Sequence, residues 1–270
     1  IRNNPAKQKK VKTKKQKAIA ATCAVAFWLL AWHVVSLCVG SELVLVSPVK
    51  VVQTLFTVIF DPDFLKTVWY SAARILGGFF TALTLGTVLG WVASRFWIVE
   101  TLLRPITAVI KATPVASFII LVLLWFSGKN LSVIISMLMV FPVIYMNVLE
   151  GVRSADEKLL EMAQVFRLSV GKKLLYIYLP AVAPFFVSAC SVSLGLCWKS
   201  GIAAEVIGTP DGSIGAVFYQ AKIFLQTSEL LAWTVVVVAV SVAFEKLFMF
   251  LLRLVLKKLK MEDVLNGKRA

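Results

Sequence analysis

The chain reads as an all-α integral membrane protein of six transmembrane helices. Three observations predict it: 59% of its 270 residues are hydrophobic, the mean hydropathy is +0.85, and apolar runs near the ~20 residues that cross a bilayer recur along its length. In hydrocarbon every backbone N–H and C=O must be paired within the chain, which a helix does unaided. So much of the sequence is apolar that no stretch of ~100 to 200 residues remains for a soluble catalytic domain.

The elements follow in order. A basic arm over residues 1–17 precedes a six-span domain over 18–256, and a tail covers 257–270. Hydropathy predicts spans at 18–39, 72–93, 103–126, 131–149, 181–202 and 230–256. The first run exceeds the ~7 to 15 apolar residues of a secretory signal core and lacks a small-x-small cleavage site, so it is expected to stay as an anchor. Ser47-Pro48 opens an amphipathic stretch between the first two spans. Only Ser127, Gly128, Lys129 and Asn130 separate the third and fourth spans, a turn that makes them antiparallel neighbours. Pro114 and Pro142 lie inside those two spans, where proline bends a helix or is absorbed by packing.

Charge sets the expected orientation. The arm carries Arg2, Lys7, Lys9, Lys10, Lys12, Lys14, Lys15 and Lys17 without an acid, and the tail is basic from Arg253 onward. With both termini in the cytoplasm, the 94–104 connection and a long polar loop over 150–180 also fall inside, and these four regions hold most of the 29 basic residues. The outer segments carry only Lys50, Lys66, Lys129 and Lys222. The net charge of +15 is thereby explained by topology and lipid headgroups, with no nucleic acid partner expected.

Residue types narrow the chemistry further. Cys23, Cys38, Cys190 and Cys197 all fall in expected spans without a CxxC pair, and His33 is the single histidine, so neither a metal site nor a disulfide framework is expected. His33 beside Trp28 and Trp32 reads as a packing or interfacial residue. No nucleophile, acid and base constellation emerges, and scattered Ser and Thr in spans ordinarily bond to helix backbones. A transport role without covalent chemistry is the expectation.

The 150–180 loop is the most patterned polar segment. Leu159, Leu160, Ala163, Val165, Phe166 and Leu168 recur at helical spacing against Asp156, Glu157, Lys158, Glu161, Gln164 and Arg167. Ser154 and Glu157 have capping-box spacing, which predicts a helix start at Ser154. Periodicity alone fits either a helix flat on the headgroups or one gripped by a soluble partner.

The pattern of Glu161-Met162-Ala163, Leu168-Ser169 and Ile177-Tyr178-Leu179-Pro180 resembles the EAA loop of ABC importer permeases, the inner membrane components of binding-protein-dependent transport systems. That family places a glycine six residues after the glutamate; here the position is Arg167, with Gly171 as a displaced flexible point. A second stretch, Trp198-Lys199 followed by Ala203-Ala204-Glu205-Val206-Ile207-Gly208, is similar to permeases of the nitrate, sulfonate and taurine group. Arg104-Pro105, Thr113-Pro114, Gly212, Gly215 and Phe224 to Thr227 fit the same group, over about 41–248.

The resemblance implies a type I ABC importer permease fold with a cytoplasmic coupling helix in the 150–180 loop. Two such permeases, a homodimer here, are expected to form the pathway, with two cytoplasmic ATPase subunits and an extracytoplasmic substrate-binding protein as partners. No GxxxxGK[ST] phosphate loop occurs, so ATP and Mg belong to the partner and no cofactor is expected in this chain. On this reading Glu161 pairs with an ATPase residue, Ala163 permits close approach to it, Leu168 is an apolar knob, Ser169 follows it as the family's next residue, and Pro180 fixes the exit into the fifth span. Arg167 meets either an acidic ATPase surface or solvent.

Lys111, Pro114, Trp198, Lys199 and Glu205 are the pathway candidates. Charges cost ~2.5 to 3.5 kcal/mol at mid-span on insertion scales and tend to face a cavity. Lys111 fits a cavity or a snorkelling position, and Lys199 fits either an anion path or a bridge to Glu205 from another helix or subunit. Arg74, Glu245 and Lys246 read as interface anchors. A small anion such as a sulfonate or nitrate is the expected cargo. Import of a neutral or cationic heterocycle, or ATP-independent secondary transport, are the alternatives.

Overall fold

The computed structural model describes residues 14–41 and 43–259, and every regular element among them is helical. In chain order these are α1 (Lys14–Val39), α2 (Pro48–Ile59), α3 (Phe64–Arg95), α4 (Trp97–Ala112), α5 (Val115–Leu123), α6 (Gly128–Arg153), α7 (Glu157–Val165), α8 (Val170–Lys173), a π-helical turn (Leu174–Tyr178), α9 (Leu179–Gly208), α10 (Ile214–Ile223) and α11 (Thr227–Lys258). Five described helices are long and apolar enough to cross a membrane, and the count reaches six if the bent α4–α5 pair is one span. The arm up to residue 13 and the tail from residue 260 lie outside the described residues; α1 opens at Lys14, inside the stretch expected to be arm.

The centre is a bundle of α3, α6 and α9. Ile75 and Phe79 of α3, Val140, Ile144 and Val148 of α6, and Leu194 and Cys197 of α9 interlock without solvent contact or nearly so. Small residues set the spacing. A Cβ on Gly78 would lie 2.4 Å from the Val133 carbonyl oxygen, and one on Gly128 would lie 2.3 Å from the Gly208 carbonyl oxygen. Lipid tails are as apolar as leucine, so helices in a bilayer gain by close dispersion contact rather than by escape from water, and glycine permits that contact. Contact registers show α3 running parallel to α6, with Gly78 beside Ser136 and Gly90 beside Val148; α9 runs antiparallel to both, with Gly151 beside Val182 and Gly208 beside Gly128.

Four sequence expectations change. The third span is not one helix: α4 and α5 meet at a 107° bend, with Thr113 extended and Pro114 opening α5. Proline disfavours the α conformation at the residue before it, which breaks the run there. The amphipathic stretch after Ser47-Pro48 is a full helix, α2, whose first turn is capped by the Ser47 hydroxyl accepting from the Lys50 N–H. Ser154 does not start α7; it closes α6 and donates its hydroxyl to the Gly151 carbonyl, while Asp156 caps α7 by accepting from the Lys158 N–H at 2.9 Å.

Gly171 is not a flexible point but lies within α8. Nor is Pro180 the junction between loop and span. The helix runs continuously from Val170 to Gly208 and widens into the π turn just before the proline. A proline ring clashes with the carbonyl four residues back, here that of Tyr176, and a widened turn relieves that clash without breaking the helix.

Candidate functional site

The α7 segment is built as a small bracket on one end of the bundle. Ala155, Ala163 and Ile177 form its buried core, with Leu160 and Leu168 packed against them. The C-terminal turn is a Schellman motif: the Leu168 N–H donates to the Ala163 carbonyl at 2.9 Å and the Arg167 N–H to the Gln164 carbonyl at 3.0 Å. Arg167, at the position where the resemblance expects glycine, has φ +49°, the left-handed conformation that glycine adopts without steric cost. The tight turn is therefore kept with an arginine in it. Ser169 is extended and leads directly into α8. Beside the bracket, Arg153 at the end of α6 forms an ion pair with Glu100 in the first turn of α4.

This packing reassigns the two faces of α7. Ala163 is fully buried against the chain's own Ala155 and Ile177 and so is not an outward contact, while Leu168 packs on the same cluster and stays partly exposed. The outward surface consists of Glu161 with Met162, Val165, Phe166 and Val170, the last three 80%, 71% and 83% exposed. Pro180 is buried at the start of α9. Large apolar side chains left exposed beside an acidic one on a buttressed helix mark an interaction surface.

At the opposite end of the bundle, Glu205 is completely buried. Its Oε2 accepts from the Ser71 hydroxyl at 2.6 Å and from the Gly215 N–H at 3.4 Å, while the Ser71 Oγ accepts from the Ile214 N–H at 2.9 Å. The carboxylate thus sits at the N-terminus of α10, where free N–H groups and the helix dipole favour negative charge. A Cβ on Gly215 would fall 2.2 Å from the Glu205 Cβ, so only glycine lets α10 come this close. Glu205 fastens α9, α3 and α10 together; it is buried within the chain, and among the described residues of this chain it forms no ion pair with Lys199.

The other candidates separate in the same way. Trp198 is buried in the α3/α6/α9 core and is not a lining residue. Lys199 is exposed on the face of α9 that also carries Ser188 and Val192. Lys111 is exposed in the last turn of α4, with its Nζ 3.4 Å from the Met146 sulfur, and Pro114 is exposed at the bend. Sequence reasoning did not single out Ser71, and it read Arg74 as an interface anchor. Arg74 instead donates to the Asn130 side chain at 3.3 Å and lies over the Tyr70 ring at 4.7 Å. The Ser71-x-x-Arg74 spacing, which puts both on one helix face, was the available signal.

An all-helical bundle of long apolar helices with a buttressed helical bracket at one end is the architecture of a multi-span membrane subunit. The model of the family described as binding-protein-dependent transport system inner membrane component matches residues 82–261, and the chain belongs to that family. It is 29% identical to the putative aliphatic sulfonates transport permease protein SsuC of Bacillus subtilis, over 78% of this chain and 76% of that one. It is 28% identical to the taurine transport system permease protein TauC of Escherichia coli (79% and 80% covered), and 25% identical to the nitrate import permease protein NrtB of Synechocystis (75% and 76%). A solved structure described as an amino acid ABC transporter with histidines shares the fold, with a TM-score of 0.51 at 16% identity over 72% of this chain and 96% of that one.

The chain is a permease subunit of the sulfonate, taurine and nitrate group of ABC importers, a multi-pass membrane component and not an enzyme. ATP hydrolysis resides in a separate subunit, and a substrate-binding protein is the other partner class. The ATP-independent alternative is thereby set aside.

Proposed function

We propose that this permease works as a homodimer with both termini in the cytoplasm, imports a small anion, and takes its driving motion through α7. The observation that carries the reading is the outward face of α7: exposed Glu161, Met162, Val165 and Phe166 on a helix whose inward face is locked by Ala163. A helix held by packed contacts on one side and gripped on the other transmits rigid-body displacement to the spans. The continuous helix from Val170 through α9 gives that displacement a direct route into the bundle.

The cytoplasmic orientation is supported by Arg95, Arg104, Arg153, Lys158, Arg167, Lys172 and Lys173 on the α7 side of the bundle. The homodimer and the anionic cargo are supported together by Lys199. A lysine on the exposed face of a spanning helix is costly against lipid and is accommodated against a second copy around a polar path, where it favours a negative solute. The names of the relatives, which speak of sulfonates, taurine and nitrate, point to the same charge class.

The test is co-purification of the chain with its co-expressed cognate ATPase, followed by ATP hydrolysis in lipid nanodiscs. Wild type is expected to retain the ATPase and to hydrolyse ATP, and Glu161→Lys and Phe166→Asp to lose both while the permease stays folded. Retention of full association and hydrolysis by both variants would overturn the role given to α7.

A further inference from the structure

On its α7 side the bundle splits, and the coupling role of α7 does not use the split. Here α6 touches both neighbours through glycines: a Cβ on Gly90 of α3 would lie 2.9 Å from the Tyr145 carbonyl oxygen, and one on Gly151 would lie 2.9 Å from the Val182 Cα of α9. Both α3 and α9 thus lean on α6 and leave between them a cleft of about 380 Å³, floored by Val148. Val88 and Trp91 of α3 form one wall, and Leu174, Leu179 and Val182 form the other. Leu174 opens the π turn, and the Trp91 ring packs edge-on against Tyr178 of that turn with centroids 5.2 Å apart. Thr87, the one hydroxyl on the lining, already donates to the Leu83 carbonyl at 2.6 Å. The cleft therefore suits a hydrocarbon chain.

The chemistry changes at the mouth toward α7. Arg95 stands one turn beyond Trp91 on α3, and Lys172 and Lys173 immediately precede Leu174. Arg95 and Lys172 are exposed, and none of the three cations has an ion-pair partner among the described residues. Trp and Tyr concentrate at the depth where hydrocarbon meets headgroups, and basic residues just beyond that depth attract anionic lipid. Apolar cleft, aromatic pair and cation cluster thus follow one another in the order of acyl chain, interface and phosphate. We propose that the cleft binds one acyl chain of an anionic phospholipid, with its phosphate met by Arg95, Lys172 and Lys173, and that the bound chain braces the π turn. A second copy seated here would bring its own basic α7-side segments against these cations, whereas an anionic headgroup is their complement. The chain supplies dispersion contacts to the side of the turn that the protein leaves open. The site needs the membrane-spanning fold and not ATP hydrolysis, so it stands or falls apart from the role of α7.

The experiment places the permease–ATPase complex in phosphatidylcholine nanodiscs and titrates in phosphatidylglycerol that carries a diazirine at the end of one acyl chain. Crosslinked peptides are mapped by mass spectrometry, and hydrogen exchange is read at the amides of the π turn. Labelling is expected to saturate, to concentrate on the α3 and α9 walls of the cleft, and to be displaced by unlabelled phosphatidylglycerol far better than by phosphatidylcholine. Joint replacement Lys172→Ala and Lys173→Ala should raise the half-saturating lipid fraction about fivefold per cation removed. Val88→Trp fills the cleft from an exposed position without touching the cations, and should abolish labelling there while the unfolding midpoint holds. Exchange in the π turn should slow as the lipid saturates in wild type and stay constant in Val88→Trp. Even labelling of all lipid-facing helices, or equal displacement by the two lipids, would overturn the site, and unaltered exchange at saturation would overturn the bracing. Labelling that is absent from the intact complex and emerges only when its two copies are separated would assign the cleft to a second copy and overturn the proposal as well.

Discussion

Replacing Arg167 by glycine tests whether the α7 turn is held in spite of its sequence. The left-handed conformation at φ +49° places the Cβ against the neighbouring carbonyl, at a cost of roughly 1–2 kcal/mol for an L-residue. Glycine removes that cost but has more backbone freedom to lose, which returns roughly 0.5–1 kcal/mol. The balance is a stabilisation of about 1 kcal/mol. At 1.4 kcal/mol per tenfold this is about a fivefold smaller local opening constant. Arg167 is exposed and its guanidinium has no ion-pair partner among the described residues, so little is lost with it. Hydrogen exchange in nanodiscs reads the effect at the Leu168 amide, whose bond to the Ala163 carbonyl closes the turn. Arg167→Gly should slow that exchange about fivefold, and Arg167→Ala, which keeps the Cβ, should leave it nearly unchanged. Equal or faster exchange in the glycine variant would refute the strain argument, and a large effect of alanine would show that the guanidinium itself holds the turn.

Four further outcomes follow from the packing. Ala163→Trp should open the 154–169 bracket to protease, because no space exists between Ala155 and Ile177; Phe166→Asp should leave the bracket resistant and abolish ATPase binding alone. Glu205→Ala leaves the Ser71 hydroxyl and the Gly215 N–H without their acceptor, a loss of roughly 1.5–3 kcal/mol measurable as a lower unfolding midpoint; combining it with Ser71→Ala should be far less than additive. Gly78→Leu must separate α3 from α6 because the obstruction is the Val133 carbonyl, at a cost of about 1–3 kcal/mol, read in the same unfolding assay. Lys199→Glu should depress uptake of an anionic substrate while stimulated ATP hydrolysis persists, and equal uptake by wild type and variant would remove Lys199 from the pathway.

The sequence by itself determined the class and the parts. Apolar runs and charge asymmetry are one-dimensional properties, so the apolar helices other than the broken third, the polar segment between the fourth and fifth, and the family resemblance were legible without coordinates. The tertiary structure decided which way those parts face. Helical periodicity shows that α7 has two faces but not which one the chain covers with its own Ala155 and Ile177, so Ala163 and Phe166, read as one apolar side, part into a buried and an exposed residue. Glu205 looked like a pathway charge because its partners were invisible. Ser71 lies 134 residues away, and the N–H groups it meets at α10 exist as free donors only once that helix has formed and docked. The sharp break at Thr113-Pro114 and the π turn before Pro180 came from two prolines with opposite results. A proline's local geometry is fixed, but whether the chain bends or widens around it depends on the helices packed against it.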